Sequence, residues 1–178
     1  MTLDLTVIMA NGEFHANEPL RALWQQAALR IAADGGARNA RRALEIPPQI
    51  VIGDLDSLDE ETRVWLQGQP VEFIRHPVAK DETDLELAIL LAYQRGAGRV
   101  IVLGALGGRA DQAVANVLLL TRWPGLALQG IGEEMWVAQN QATIHGAIGD
   151  TVSLIPLDSR VEGITTHNLV YPLKNEPL

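Results

Sequence analysis

Residues Ile50 to Leu66 read IVIGDLDSLDEETRVWL. Ile50, Val51 and Ile52 form an apolar run with no polar alternation, the mark of a short strand covered on both faces. Gly53-Asp54 ends that run. Ser57 with Glu60 has the spacing of a capping box and predicts a helix from about Leu58 to Leu66. A buried strand, a Gly/Asp turn at its carboxyl end and a helix make half of a βαβ unit.

The same order extends both ways from this stretch. Upstream, Leu3–Met9 is a strand ending at the turn signal Asn11-Gly12. Leu20, Leu23, Trp24, Ala27 and Ala28 mark one face of a helix over Leu20–Leu29. Arg30–Ala33 is a strand running into Asp34-Gly35-Gly36, and Ala37–Leu44 is a helix stopped before Pro47-Pro48. Downstream, Val71–Ile74 is a strand, and Thr83 with Glu86 caps a helix reaching about Tyr93. Val100–Leu103 is a strand, Gly104–Gly108 a glycine-rich turn, Arg109–Arg122 a helix and Leu126–Gly130 a strand. The expected fold is α/β: a mostly parallel sheet flanked by helices, over residues 1–130. From Gly132 onward helical periodicity is lost. Met135–Ala138, Ala142–His145, Thr151–Pro156 and Ile164–Tyr171 read as strands of a small C-terminal all-β domain, part of a β-sandwich, over residues 131–178.

Composition narrows the function. The chain has 178 residues, no cysteine and 22 acidic against 14 basic side chains, a formal charge of −8. Without cysteine there is no disulfide scaffold, thiolate zinc site or cysteine nucleophile. The acidic balance and the 4% aromatic content argue against a nucleic-acid binder. The N-terminus has no basic leader region, and Leu87–Tyr93 is too short to span a bilayer, so no membrane partner is expected and the cytoplasm is the default location.

The acids sit where chemistry is expected. In a parallel sheet, ligands bind beyond the carboxyl ends of the strands. Asp34-Gly35-Gly36, Gly53-Asp54-Leu55-Asp56-Ser57, Lys80-Asp81-Glu82-Thr83-Asp84 and Gly107-Gly108-Arg109-Ala110-Asp111 all follow strands. On an extended segment Asp54 and Asp56 would share one side and could hold a hard cation such as Mg²⁺. Equally, Asp56 could cap the next helix and Asp54 form its turn. Asp81 and Asp84 flank Thr83, a candidate N-cap whose backbone N–H could face an anion. Lys80 could contact a polyphosphate or be a surface charge. Gly107 and Gly108 would allow close approach of phosphate, which Arg109 could hold bidentately. An ordinary strand-to-helix turn accounts for those residues as well. Neither the P-loop nor the G-x-G-x-x-G signature occurs.

The set as a whole resembles the thiamine pyrophosphokinase family. The matching residues are Asp34-Gly35-Gly36-Ala37 with Asn39, Gly53-Asp54-Leu55-Asp56-Ser57, Lys80-Asp81-Glu82-Thr83-Asp84-Leu85-Glu86, and Gly107-Gly108-Arg109-Ala110-Asp111 with Ala115-Asn116. Gly149–Leu157, Glu162–Thr166 and Tyr171-Pro172-Leu173 continue the match into the β part. The resemblance implies Mg²⁺-dependent transfer of pyrophosphate from ATP to the thiamine hydroxyl, giving thiamine diphosphate and AMP, by a homodimer. It implies Asp54, Asp56 and Asp84 as metal ligands, with Asp81 completing the catalytic carboxylates. Asp34, Thr83, Arg109 and Asp111 match nucleotide or phosphate positions, and Tyr171 one near the thiamine rings. The β domain would bind thiamine and dimerise. Two departures stand out. Gln112 replaces a frequent histidine, and the family's further hairpin with a Ser-Asn-Glu segment is not found before Leu178, so the expectation is either a sequence cut short or an incomplete thiamine pocket. The alternatives are a diphosphokinase for another small alcohol, such as a hydroxymethylpterin, and an inactive nucleotide-binding regulatory protein.

Overall fold

The computed structural model describes residues 4–79 and 81–178. Two compact units divide the chain, Met1–Gln139 and Asn140–Leu178.

The first unit is built on a seven-stranded sheet of β1 (Thr6–Met9), β2 (Leu29–Ala33), β3 (Ile50–Gly53), β4 (Glu72–Arg75), β5 (Val100–Leu103), β6 (Leu126–Gln129) and β7 (Glu134–Trp136), in the order β4-β3-β2-β1-β5-β6-β7. All pairs are parallel except β6 with β7. The chain steps outward from β1 to β4, then returns to β5 on the other side of β1. The topological switch point therefore lies between β1 and β5.

The helices are α1 (Glu18–Gln26), α2 (Gly36–Asn39), α3 (Glu60–Leu66), α4 (Asp84–Gln94) and α5 (Ala110–Leu119). Strand alternation divides the core between the two faces of the sheet. Ile8, Ile31, Ile50, Ile52, Val100 and Val102 face Leu85, Ala88, Ile89 and Ala92 of α4. Val7, Met9, Ile101 and Leu103 face Leu20 and Trp24 of α1 with Leu44. On that same side Ala32 and Val51 meet Leu58 and Leu66. The all-apolar strands of the sequence are thus buried on both sides, as their composition requires.

Several boundaries differ from expectation for local reasons. The predicted helix Ala37–Leu44 begins as α2 and finishes as a π-helical turn, Ala40–Leu44, closed by Glu45 in the left-handed region at φ 60°. Asp59, not Ser57, caps α3: its carboxylate accepts the Thr62 N–H at 2.8 Å, and the helix starts at Glu60. The strand expected at Met135–Ala138 begins one residue earlier, as β7. It pairs with the exposed edge of β6 and so belongs to the first unit rather than to the C-terminal β part.

In the second unit β8 (Ile164–Thr165) pairs antiparallel with β9 (Lys174–Glu176). Thr166 secures the hairpin, its N–H donating to Leu173 O at 3.0 Å and its hydroxyl oxygen accepting the Leu173 N–H at 2.8 Å. The predicted strand Ile164–Tyr171 stops at Thr165, because the chain turns there to reach β9. Ala142–His145 and Thr151–Pro156 form no ladder among the described residues. Their backbones meet no partner strand, and β-rich composition without a partner yields extended coil.

Candidate active site

The acids meet at the carboxyl edge of the sheet. Asp34 ends β2 in the left-handed region, at φ 43°, with its N–H donating to Ile52 O at 2.8 Å. Asp54 follows β3 directly. One carboxylate oxygen each from Asp34, Asp54 and Asp56 lie within 4.8 Å of one another. Gly53 explains how Asp84 joins them. Its φ is +147°, and a Cβ there would stand 2.9 Å from Asp34 Cβ and 3.0 Å from Asp84 Oδ1. Any side chain at position 53 would push apart the carboxylates on either side. Asp84 reaches this point as the first residue of α4, whose capping box is complete: Thr83 Oγ1 accepts the Glu86 N–H at 3.2 Å, and Glu86 Oε2 accepts the Thr83 N–H at 3.0 Å.

The segment carrying Asp54 and Asp56 is a turn, not the extended segment expected. Leu55 has φ 66°, and the Asp56 N–H donates to Asp54 Oδ1 at 3.1 Å. Ser57 Oγ donates to Asp56 Oδ1 at 3.1 Å. Asp54 therefore makes the turn, while Asp56 leaves the capping to Asp59. The folded turn still brings both carboxylates to Asp34.

Asp34 is 6% exposed, and its Oδ1 is buried with no hydrogen-bond partner among the described residues. A buried charged oxygen without a partner is costly unless something binds it. Three mutually close carboxylates repel unless a cation lies among them. All donors are hard oxygens, the set that suits Mg²⁺. The residues present fit such an ion.

Beside the acids, the loops at the switch point lock together. The Gly12 N–H donates to Gly104 O at 2.9 Å. Asn39 Nδ2 donates to Ala10 O at 3.0 Å and to Gly12 O at 2.9 Å. Asn116 Nδ2 donates to Ala105 O at 2.9 Å. A cavity of about 380 Å³ opens next to these loops, lined by Glu13, Phe14, His15, Leu106, Gly107 and residues 129–133. The switch point is where a doubly wound sheet binds its ligand. In the sequence the loop after β1 had shown itself only through Asn11-Gly12, and nothing marked Glu13 to His15.

Other expected residues are placed differently. Thr83 gives its N–H to Glu86, so that group does not face an anion. Arg109 makes a fork with Asp111, Nε to Oδ1 at 3.1 Å and Nη2 to Oδ2 at 2.5 Å. This pairing holds the Asp111 carboxyl below the usual carboxylate range, the Arg109 hydrogen bonds being the main cause. It raises the Arg109 guanidinium by the same contact. Both side chains are exposed, so a phosphate can compete for the guanidinium. Asp81 is exposed and stands outside the trio of close carboxylates. Gly35 and Gly36 pack under the β1 loop: a Cβ on Gly36 would lie 2.0 Å from Met9 O. Gly107 and Gly108 are both left-handed, at φ 91° and 74°. Lys80 lies outside the described residues. Tyr171 belongs to the second unit and is exposed.

This arrangement has known counterparts. The catalytic domain of thiamin pyrophosphokinase matches residues 20–129, and the vitamin B1 binding domain of the same enzyme matches residues 139–178. This chain belongs to the thiamine pyrophosphokinase family. Thiamine pyrophosphokinase 1 of Oryza sativa subsp. japonica is 26% identical over 196 residues, a match spanning 95% of this chain and 74% of that protein. Thiamine pyrophosphokinase of Bacillus subtilis is 25% identical, over 94% of this chain and 81% of that one. The crystal structure of the Bacillus subtilis enzyme superposes with a TM-score of 0.84 at 25% identity, covering 98% of this chain and 84% of that chain. The thiamine pyrophosphokinase family is one of diphosphotransferases. Neither the pterin-type alternative nor the inactive-protein alternative is favoured by these relatives. Among the described residues no helix is long and apolar enough to cross a membrane.

Proposed function

We propose that the chain transfers the pyrophosphoryl group of ATP to the hydroxyl of thiamine, with Mg²⁺ at the acidic cluster, and releases AMP. The observation that carries this reading is the convergence of Asp34, Asp54 and Asp56 at the edge of the sheet, with a buried oxygen of Asp34 that has no partner among the described residues. Bound there, Mg²⁺ would neutralise charge on the triphosphate. Asp34, Asp54 and Asp56 would hold it, with Asp84 beside them.

The chain's own groups do the rest by positioning, which is most of what phosphoryl transfer asks of a protein. The loops after β1 and β5, bolted together through Gly12, Asn39 and Asn116, form a rigid wall for the nucleotide. Gly107 and Gly108 leave backbone open to phosphate. Arg109 exchanges its exposed Asp111 partner for a phosphate oxygen, at low cost because an exposed pair is weakly bound. Lys80 and Thr83 remain on the phosphate side of this reading, Thr83 by fixing the start of α4. Asp81 and Asp84 are the carboxylates available to take the thiamine hydroxyl proton. The positive thiazolium of thiamine suits an acidic cleft.

The second unit, residues 140–178 with Tyr171, would supply the thiamine contacts and the dimer interface. Ile148, Ile155, Val170 and Tyr171 are 73% exposed or more, which supports a covering partner for this unit. A second copy of the chain, in a homodimer, is that partner.

The test measures AMP released from ATP with and without thiamine, in Mg²⁺. Asp54→Ala and Asp84→Ala should each lower turnover by about 100-fold or more, as expected for loss of a group that stabilises transferring phosphate. Near-normal turnover in Asp54→Ala removes the metal assignment, and near-normal turnover in Asp84→Ala removes Asp84 from the site. AMP release that ignores thiamine but follows another small alcohol changes the acceptor.

A further inference from the structure

We propose that Arg63 is a positioning residue for the acidic cluster, its guanidinium holding the Asp54–Asp56 turn in its strained form. This rests on the reading of the cluster as a cation site. Arg63 lies on α3, behind the turn, and is not one of the three close carboxylates' neighbours in sequence. Its Nη2 donates to Leu55 O at 2.7 Å and its Nε to Leu58 O at 3.1 Å. One planar guanidinium thus ties two carbonyls of the loop to a helix.

The residue it holds is the one under strain. Leu55 is left-handed at φ 66°, a region that a branched side chain occupies only when its surroundings enforce it. The Leu55 side chain is 6% exposed and packs with Leu58 and Leu66, so relieving the backbone by moving it would cost buried apolar contacts. α3 is a firm anchor. Asp59 caps it, and Arg41 reaches it through Thr62 Oγ1 at 3.1 Å and Glu61 at 2.7 Å. Without the guanidinium, the Leu55 carbonyl loses its fixed partner and the peptide between Leu55 and Asp56 is free to turn over. The Asp56 N–H then leaves Asp54 Oδ1, and the two carboxylates no longer converge on Asp34. Arg63 acts on the cation through the loop, without touching it.

The experiment titrates the full chain with Mn²⁺, followed by electron paramagnetic resonance of the free ion, and reads thermal unfolding in parallel. Arg63→Met should weaken Mn²⁺ binding about tenfold, the size typical for a group that orients metal ligands. Arg63→Lys, which restores one donor, should lie between Met and wild type. Mn²⁺ affinity within twofold of wild type in folded Arg63→Met overturns the inference, and so does a Lys variant no better than Met. If Arg63→Met does not fold, Arg63→Leu, which likewise has no donor, is held to the same tenfold and twofold limits. A wild-type chain that binds no Mn²⁺ overturns the cation reading itself, and the inference with it.

Discussion

At the residue scale the site is marked by backbone strain as much as by charge. Asp34 and Leu55, both at the acidic edge, have positive φ without being glycine. Such conformations cost roughly 1–3 kcal/mol each and persist where the surroundings over-determine them. Asp34 is also buried, so its charge is tolerable only with a partner. Asp34→Asn keeps the shape and the turn, since asparagine accepts the left-handed region, but removes the charge. It should leave thermal stability unchanged or slightly higher in the absence of metal, and reduce Mg²⁺-dependent turnover by about 100-fold. A variant with full turnover would show that Asp34 is only a turn residue. Arg109 makes a second case. Arg109 would offer the triphosphate a two-pronged, charge-assisted contact, so Arg109→Ala should raise the KM for ATP by roughly tenfold or more. An unchanged KM would leave the Arg109–Asp111 fork as a surface pair. The acids were legible in the sequence because each stands beside glycine or a cap at the end of an apolar run. Arg63 was not, because its partners are the carbonyl oxygens of Leu55 and Leu58, which every residue carries and no motif records.

At the element scale, α3 shows how closely a cap and the site are linked. Asp59 caps the helix that carries Arg63, and its carboxyl is held below its ordinary range by hydrogen bonding from Thr62, with Arg41 and Arg42 adding to it. A depressed folded value means the contribution is present above the ordinary carboxylate pKa, near 3.9. It is lost as the pH falls through the lower folded value. Asp59→Ala should therefore cost about 1 kcal/mol in urea unfolding at pH 7. That difference should close below the ordinary carboxylate range; a gap that persists in acid would assign the loss to packing. Gly36 tests the fit of α2 under the β1 loop. A methyl group there would meet Met9 O at 2.0 Å, so Gly36→Ala must move backbone and should cost about 1–3 kcal/mol by the same unfolding measurement. Strands were legible because parallel strands buried on both faces are apolar throughout. The cap of α3 was not legible: the sequence offered Ser57 and Asp56 for that place, and the folded Leu55 turn puts Asp59 there instead.

At the scale of the whole molecule, one crossover organises the chemistry. Because β5 returns beside β1, the acids after β2 and β3 and the glycine-rich loop after β5 share one edge of the sheet. The alternation of strand and helix made that edge foreseeable, although it could not tell which strand the chain would return to. The C-terminal unit was less legible. Its residues have strand-forming composition, yet only β8 and β9 pair, and Ile148 and Val170 stand 109% and 87% exposed. Strand propensity is realised only where a segment meets a partner, and these segments meet none among the described residues. A homodimer would supply one. Sedimentation of the full chain should then give a dimer, and Ile148→Asp with Val170→Asp should shift it to monomer by placing charge on two exposed apolar positions. The first unit, with its own core, should keep its cooperative unfolding in that variant. If the double variant remains dimeric, the interface lies on another surface; if the wild-type chain is monomeric at every concentration, these apolar side chains are covered by something other than a second copy.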